Sequence, residues 1–323
     1  MKWKEMSIIV ITLFIIVLGF VLSNVIKNNT KIVLFTYESK IKNNDYVLDT
    51  YNGLKLLKKE SNVKLVESLS YEKFEKKINT QISRGADFIW SVEGVSSKSV
   101  YKLASANPKI NFCVLDAKYK KTLNNLCAVE FDSTEVAFLA GYMAGLTTKT
   151  NKVGFIGGKD EDKVNIIEQY YIKGVKYAGA NNIVLSDYAG TYEDKLMGSN
   201  LAQAQYDQRV DIIFSSSGLT GIGVIEKSKT LGKWVIGIDT DQSFLAPDNV
   251  LASVTKDSKK VINNITKDYL NKKDVGDRNY RFGLEDGIMD IKMTKNVDVE
   301  TKNKVNEMKT KIINGKINIE KDL

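Results

Sequence analysis

The sequence of 323 residues contains no histidine, two cysteines, two prolines and four arginines. Each shortage removes a class of chemistry. Without imidazole there is no Ser-His-Asp or Cys-His relay, no histidine general base, and no zinc or iron site built on imidazole. Cys113 and Cys127 lie outside any CxxC and cannot make a four-cysteine metal site. Their spacing leaves a disulfide undecided, and the expectation is a pair of buried small hydrophobes. The 47 Lys and Arg against 39 Asp and Glu give a formal charge of +8, with Arg84, Arg209, Arg278 and Arg281 the only residues of the basic set that are not lysine. Lysine reads phosphate or guanine poorly as a bidentate donor, and these lysines are spread along the whole chain, so nucleic acid is not an expected partner.

What is present is ordinary for a globular protein: 43% hydrophobic and 27% charged residues, enough for a sizeable core. The length suggests two domains or one large one.

Met6 to Ile26 (MSIIVITLFIIVLGFVLSNVI) carries no charge. As a helix rising about 1.5 Å per residue it matches the roughly 30 Å of a hydrocarbon core. The run is longer than the usual signal-peptide core, no A-x-A site follows Gly19, and no cysteine offers a lipid anchor. The expectation is an uncleaved N-terminal transmembrane helix within residues 1–30, with a cleaved signal segment as the alternative. The short basic N-terminus would stay inside and place the rest on the extracytoplasmic side of the cell membrane.

From Lys31 onward, short apolar runs alternate with amphipathic ones. Strands are expected at Lys31 to Thr36, Val63 to Ser68, Asp87 to Ser91, Ile110 to Leu115, Lys152 to Ile156, Ile183 to Asp187, Asp211 to Ser215 and Lys233 to Ile238. Helices are expected at Tyr46 to Glu60, Tyr71 to Arg84, Asn165 to Ala178, Asp194 to Gln208 and Gly221 to Leu231. This alternation predicts an α/β fold with parallel sheets and crossover helices. Asp132 to Thr147 (DSTEVAFLAGYMAGLT) opens with an acidic N-cap, and Ala137, Gly141 and Gly145 share a face suited to close packing against a sheet. A second α/β unit is expected to begin near Lys149, with KVGFIGG as its first strand.

Ligands of open parallel sheets bind outside the carboxyl ends of the strands. Here those ends are polar and glycine-rich: Asp116 after Leu115, Gly157-Gly158-Lys159-Asp160 after Ile156, AGTYED after Tyr188, SSSGLTG after Phe214 and Asp239-Thr240-Asp241-Gln242 after Ile238. Neither phosphate fingerprint is satisfied. GFIGGKD carries Asp160 where a P-loop needs Ser or Thr, and GLTGIGVIE ends in Glu226 where a dinucleotide fingerprint needs a small residue. No cofactor is expected.

EFDSTEVAFLAGYMAG, KVGFIGGKD, the AGTYED turn and DIIFSSSGLTGIGVIEKSKTLGKWVIGIDTDQSFLAPDNVLASVTK resemble, in order and spacing from about Glu130 to Gly287, the basic membrane protein family of ABC-transporter substrate-binding proteins. The resemblance implies a type I periplasmic-binding-protein fold, two doubly wound parallel-sheet lobes joined by three crossings with a ligand held between them. On that pattern lobe one is 31–148 plus 241–273, so that VLASVTK and the helix Asp257 to Leu270 belong to it, and lobe two is 149–240 plus 274–323. It further implies a binding protein and not an enzyme, a purine nucleoside or similar ribose-bearing ligand, and an ABC permease as partner. The alternative is a membrane-anchored sensor or regulatory protein on the same fold.

Matched position by position, Asp239 and Lys256 stand where the family holds ribose hydroxyls. Tyr192 stands where a phenylalanine stacks on the base, Gly218 where backbone approaches the ligand, and Asp116 where a carboxylate contacts the base. A carboxylate accepting two hydroxyls beside a lysine is a chemically sensible sugar clamp. The first loop departs from the pattern. In TYESKIKNNDYVLD, Tyr46 can replace the family's phenylalanine, but Val47 stands at the asparagine position and no aspartate follows Thr36, leaving Asn43, Asn44 and Asp45 to rebuild base recognition.

Overall fold

The computed structural model describes residues 12–16, 30–37, 45–59, 61–68, 71–92 and 97–321. Among these no helix is long and apolar enough to cross a membrane. The expected anchor, Met6 to Ile26, lies outside the described residues except for a helical stretch at 12–16.

The chain divides into two compact units. The first comprises residues 1–42, 47–130 and 258–280, and the second 43–46, 131–257 and 281–323. The first unit contains β1 (Lys31–Tyr37), α1 (Asp45–Lys55, from Val47 on), β2 (Asn62–Ser68), α2 (Tyr71–Ser83), β3 (Phe88–Ser91), α3 (Ser97–Ala106), β4 (Asn111–Leu115) and most of β5 (Leu126–Phe131). Its sheet runs β5-β4-β3-β1-β2, extended at the β5 edge by β11 (Arg278–Phe282). β1 pairs in parallel with β2 and β3, β3 with β4, and β4 with β5. Ile32, Val33, Leu34 and Phe35 are all buried, the uninterrupted apolar run of a strand covered on both faces.

The second unit repeats this plan with α4 (Thr134–Thr147), β6 (Lys152–Gly157), α5 (Asp162–Ala178), β7 (Ile183–Tyr188), α6 (Lys195–Asp207), β8 (Ile212–Ser216), α7 (Leu219–Leu231), β9 (Trp234–Asp239), β10 (Val250–Lys256), β12 (Met289–Met293) and α9 (Val299–Ile313). Its sheet order is β12-β10-β9-β8-β6-β7, parallel except for β12, which runs antiparallel to β10. Both sheets therefore share the doubly wound order 2-1-3-4-5, in which the crevice for a ligand opens where the order reverses, between β1 and β3 and between β6 and β8.

The units divide at other points than the sequence led us to expect. The first crossing falls at Glu130 and not near Lys149, because α4 buries its apolar side in the second unit's core with Phe155, Tyr171 and Leu251. VLASVTK is β10, hydrogen-bonded beside β9 in the second sheet and not in lobe one. The helix after it, α8 (Ser258–Leu270), does lie in the first unit, where Thr266 Oγ1 accepts a hydrogen bond from the indole of buried Trp90 at 3.0 Å. The last crossing falls after Tyr280 instead of near Asp274.

Two local expectations also change. Gly141 and Gly145 serve a helix and not a sheet: a Cβ on Gly141 would lie 2.0 Å from the carbonyl oxygen of Tyr171 in α5, and one on Gly174 of α5 would lie 2.0 Å from that of Phe138 in α4. Asp132 is not the N-cap of α4, which is Ser133, although Asp132 Oδ1 accepts from the amide and hydroxyl of Thr134. Cys113 and Cys127 are buried as expected, but they sit at paired positions of β4 and β5 and are joined as a disulfide. Spacing could not show this because it does not reveal which strands are neighbours.

Candidate functional site

The second unit gathers polar side chains at the carboxyl ends of its parallel strands. Asp239 ends β9 and Lys256 ends β10, with Asp239 registered to Thr255 across the ladder. This puts Lys256 Nζ 3.0 Å from Asp239 Oδ1. The lysine side chain is 13% exposed and the aspartate 36%, so the pair is half withdrawn from water. Lys256 Nζ also lies 3.8 Å from the centre of the Tyr46 ring and 5.5 Å from that of Phe131, inside cation–π range of both. Tyr46 is buried and divides with this second unit although Val47, one residue on, belongs to the first.

Asp239 has φ +72°, a left-handed conformation that a non-glycine residue occupies only where its surroundings enforce it. Asp116, which follows β4 in the first unit, has φ +59°. Each sheet thus ends one of its central strands in an aspartate whose backbone turns sharply out of the ladder.

Tyr192 lies at the point where the second sheet's order reverses. A Cβ on Gly158, after β6, would fall 2.2 Å from Cε1 of its ring, so the ring occupies space that any other residue would fill. Gly218, the N-cap of α7 after β8, has φ +58° and ψ −131°, and a Cβ there would come 3.3 Å from Tyr192 Cβ and from its carbonyl oxygen. The Tyr192 carbonyl accepts from the amide of Thr220 at 3.1 Å, and the phenol donates to Glu161 Oε1 at 2.5 Å. Burial first, then the hydrogen bond to Glu161 and the charges of Glu161 and Asp239, push the phenol well above its ordinary value. It therefore stays a donor at any physiological pH. Lys159 Nζ is 5.7 Å from the ring centre.

Of the six residues singled out by the sequence, five fall in the second unit: Tyr46, Asp239 and Lys256 in one contact cluster, and Tyr192 with Gly218 in another. The charge of Asp239 bears on the Tyr192 phenol, which links the two clusters electrostatically. The sixth, Asp116, falls in the first unit. Asn43 and Asn44 lie outside the described residues. Val47 and Thr36 are fully buried.

Phe131 and Glu161 were not singled out from the sequence, and Gly158 was read only as part of the glycine-rich end of its strand. Phe131 ends β5 (LCAVEF), and Glu161 reads as an ordinary acidic residue at a helix start. Among the described residues no group of three or more acidic or cysteine side chains could hold a metal ion.

Two doubly wound parallel units with this polar edge have the architecture of ABC-transporter solute-binding proteins. The solute-binding protein of an ABC transporter system from Aeropyrum pernix K1 superposes with a TM-score of 0.79 at 20% identity, covering 90% of this chain and 92% of that one. A transcriptional activator of the comK gene from Bacillus halodurans gives 0.77 at 18% identity, covering 89% and 99%. The chain belongs to the Bmp family of PnrA-like ABC transporter substrate-binding proteins, whose family model matches residues 30–322. Basic membrane protein A of Borreliella afzelii is 34% identical over 274 residues, 82% of this chain and 84% of that protein. Basic membrane protein D of Borreliella burgdorferi strain JD1 is 32% identical over 305 residues, 92% and 89% of the two chains.

Proposed function

We propose that this protein is an extracytoplasmic, membrane-tethered binding protein for a purine nucleoside or a similar ribose-bearing molecule, which it delivers to an ABC importer. The observation that carries the reading is the Asp239–Lys256 pair at the carboxyl ends of β9 and β10. A carboxylate has lone pairs for two vicinal hydroxyls at once, and the lysine beside it can donate to a third oxygen. Tyr192 supplies a ring for stacking on a heterocycle, and Tyr46 with Phe131 walls off the lysine stem. The buried disulfide between Cys113 and Cys127 suits an oxidising compartment outside the cytoplasm.

Calorimetry of the purified full chain with adenosine, guanosine, inosine and uridine tests the reading. Saturable heat with at least one purine nucleoside is expected, and silence with all four while the protein is folded rejects it.

A second reading, a ligand sensor or regulator on the same fold, is favoured by the first loop. There the buried Val47 stands at the asparagine position of the family pattern, and no aspartate follows Thr36. A permease and ATPase in the same operon would speak for transport, and an isolated gene among regulatory loci for sensing.

A further inference from the structure

Glu161 is placed as a helix N-cap but does not act as one. It precedes α5 with φ −146° and ψ 154°, and its side chain makes no capping bond. Such positions favour Ser, Thr, Asp or Asn, whose short side chains reach the free amides of the first turn, and forgoing the cap costs about 1 kcal/mol. The carboxylate is turned instead to the Tyr192 phenol. Oε1 takes that hydrogen bond, and the glutamate side chain is exposed to solvent.

The ring it holds cannot drift. Gly158 backs one part of it, Gly218 closes on its Cβ, and the amide of Thr220 holds its carbonyl oxygen. A heterocycle stacked on Tyr192 therefore projects an edge past the phenol oxygen toward the Glu161 carboxylate, an acceptor of hydrogen bonds.

Resting on the nucleoside reading above, we propose that Glu161 is the specificity-determining residue of this site and that it selects purines with two adjacent N–H donors, the guanine edge. Guanine offers N1–H beside its exocyclic amine, which a carboxylate can take in a bidentate fashion. Hypoxanthine offers N1–H alone. Adenine sets an acceptor nitrogen beside its amine, and the lone pairs of acceptor and carboxylate repel each other. The order of affinity is guanosine, then inosine, then adenosine.

Calorimetry of the full chain with these three nucleosides, in wild type, Glu161→Gln, Tyr192→Phe and Asp160→Asn, decides the matter. Glu161→Gln should weaken guanosine by about 10–100-fold while changing adenosine less than about threefold. Tyr192→Phe keeps the stacking face and frees the carboxylate, so it should flatten the guanosine preference without abolishing binding. Asp160→Asn removes one negative charge from the same turn, where it accepts from Asn165, and should leave the order intact. Glu161→Gln shifting all three nucleosides equally, Asp160→Asn reproducing its effect, or a wild type that prefers adenosine overturns the assignment of Glu161 alone. A folded wild type that binds none of the three rejects the nucleoside reading and the selection with it.

Discussion

Lys256 Nζ sits 3.0 Å from Asp239 Oδ1, each residue closing one of two neighbouring parallel strands. The pairing follows from register: with Thr255 opposite Asp239, Lys256 is the first residue of β10 past its ladder with β9, though still paired with Met289 of β12, and its ammonium reaches the aspartate. The aspartate pays for this position with a left-handed backbone. Such a local violation is what a binding site retains when the fold around it is otherwise regular.

Asp239→Asn removes the charge and one full acceptor while keeping the shape. A hydrogen bond to a charged group contributes about 1.5–3 kcal/mol, so affinity for a ribonucleoside should fall by about 10–100-fold. The 2′-deoxy analogue, which has already lost one hydroxyl, should suffer less from the substitution. Titration calorimetry of both ligands with both proteins reads the difference. An equal loss for the two sugars would place Asp239 elsewhere than on the ribose.

The strand-helix alternation made the two sheets legible from the sequence, since a buried parallel strand is a short apolar run and a crossover helix is amphipathic. The carboxyl-edge rule then located Asp239, Tyr192 and Gly218, while Lys256 came from the family resemblance alone. The edge strands were harder. In β11 (RNYRF) and β12 (MDIKM), polar and apolar residues mix, and no run marks them. Lobe boundaries also escaped, because whether VLASVTK pairs with β9 or returns to the first sheet is decided by tertiary contact. Glu161 was hidden because only the fold brings the turn after β6 against the turn after β7.

Gly158→Ala tests the seat of Tyr192. The new methyl group would overlap the ring at Cε1 and Cδ1, at 2.2 and 2.3 Å, and the ring is held by Glu161 on its far end. Overpacking of this kind costs about 1–3 kcal/mol, and the ring must leave its place to relieve it. A modest drop in urea midpoint with loss of nucleoside binding is expected. Unchanged affinity would show that the ring's position does not matter to the ligand.

The disulfide between Cys113 and Cys127 closes a loop of 14 residues across adjacent strands in the first unit. In the chain-entropy view a loop of this size contributes about 3 kcal/mol by restricting the unfolded chain. The double variant Cys113→Ala with Cys127→Ala should therefore unfold at a clearly lower urea concentration. Thiol titration of the denatured, unreduced wild type should find no free cysteine, and two free thiols would remove the premise.

Glu135, in the first turn of α4, predicts a dependence on pH of definite sign. Partial burial raises its carboxyl above the usual range, the charges of Asp132 and Glu285 raise it further, and Arg281, which ion-pairs with Asp132, together with the Leu284 backbone pulls it down. A carboxyl whose folded-state value is raised holds its proton more tightly folded than unfolded, so the folded chain loses stability as pH rises from about 4.5 through the folded value. Above that value the penalty is constant. Glu135→Gln keeps an acceptor for the backbone and removes the ionisation. The variant's advantage in urea midpoint over wild type should thus be smallest near pH 4.5, widen toward neutrality and then level off. Comparing the two proteins at each pH cancels the opposite trend from Asp298 and Glu307, whose carboxyls are held below their ordinary values by hydrogen bonds from Thr301 and Lys311. A gap that narrows with rising pH would mean that Glu135 is stabilised as the anion, with Arg281 outweighing burial.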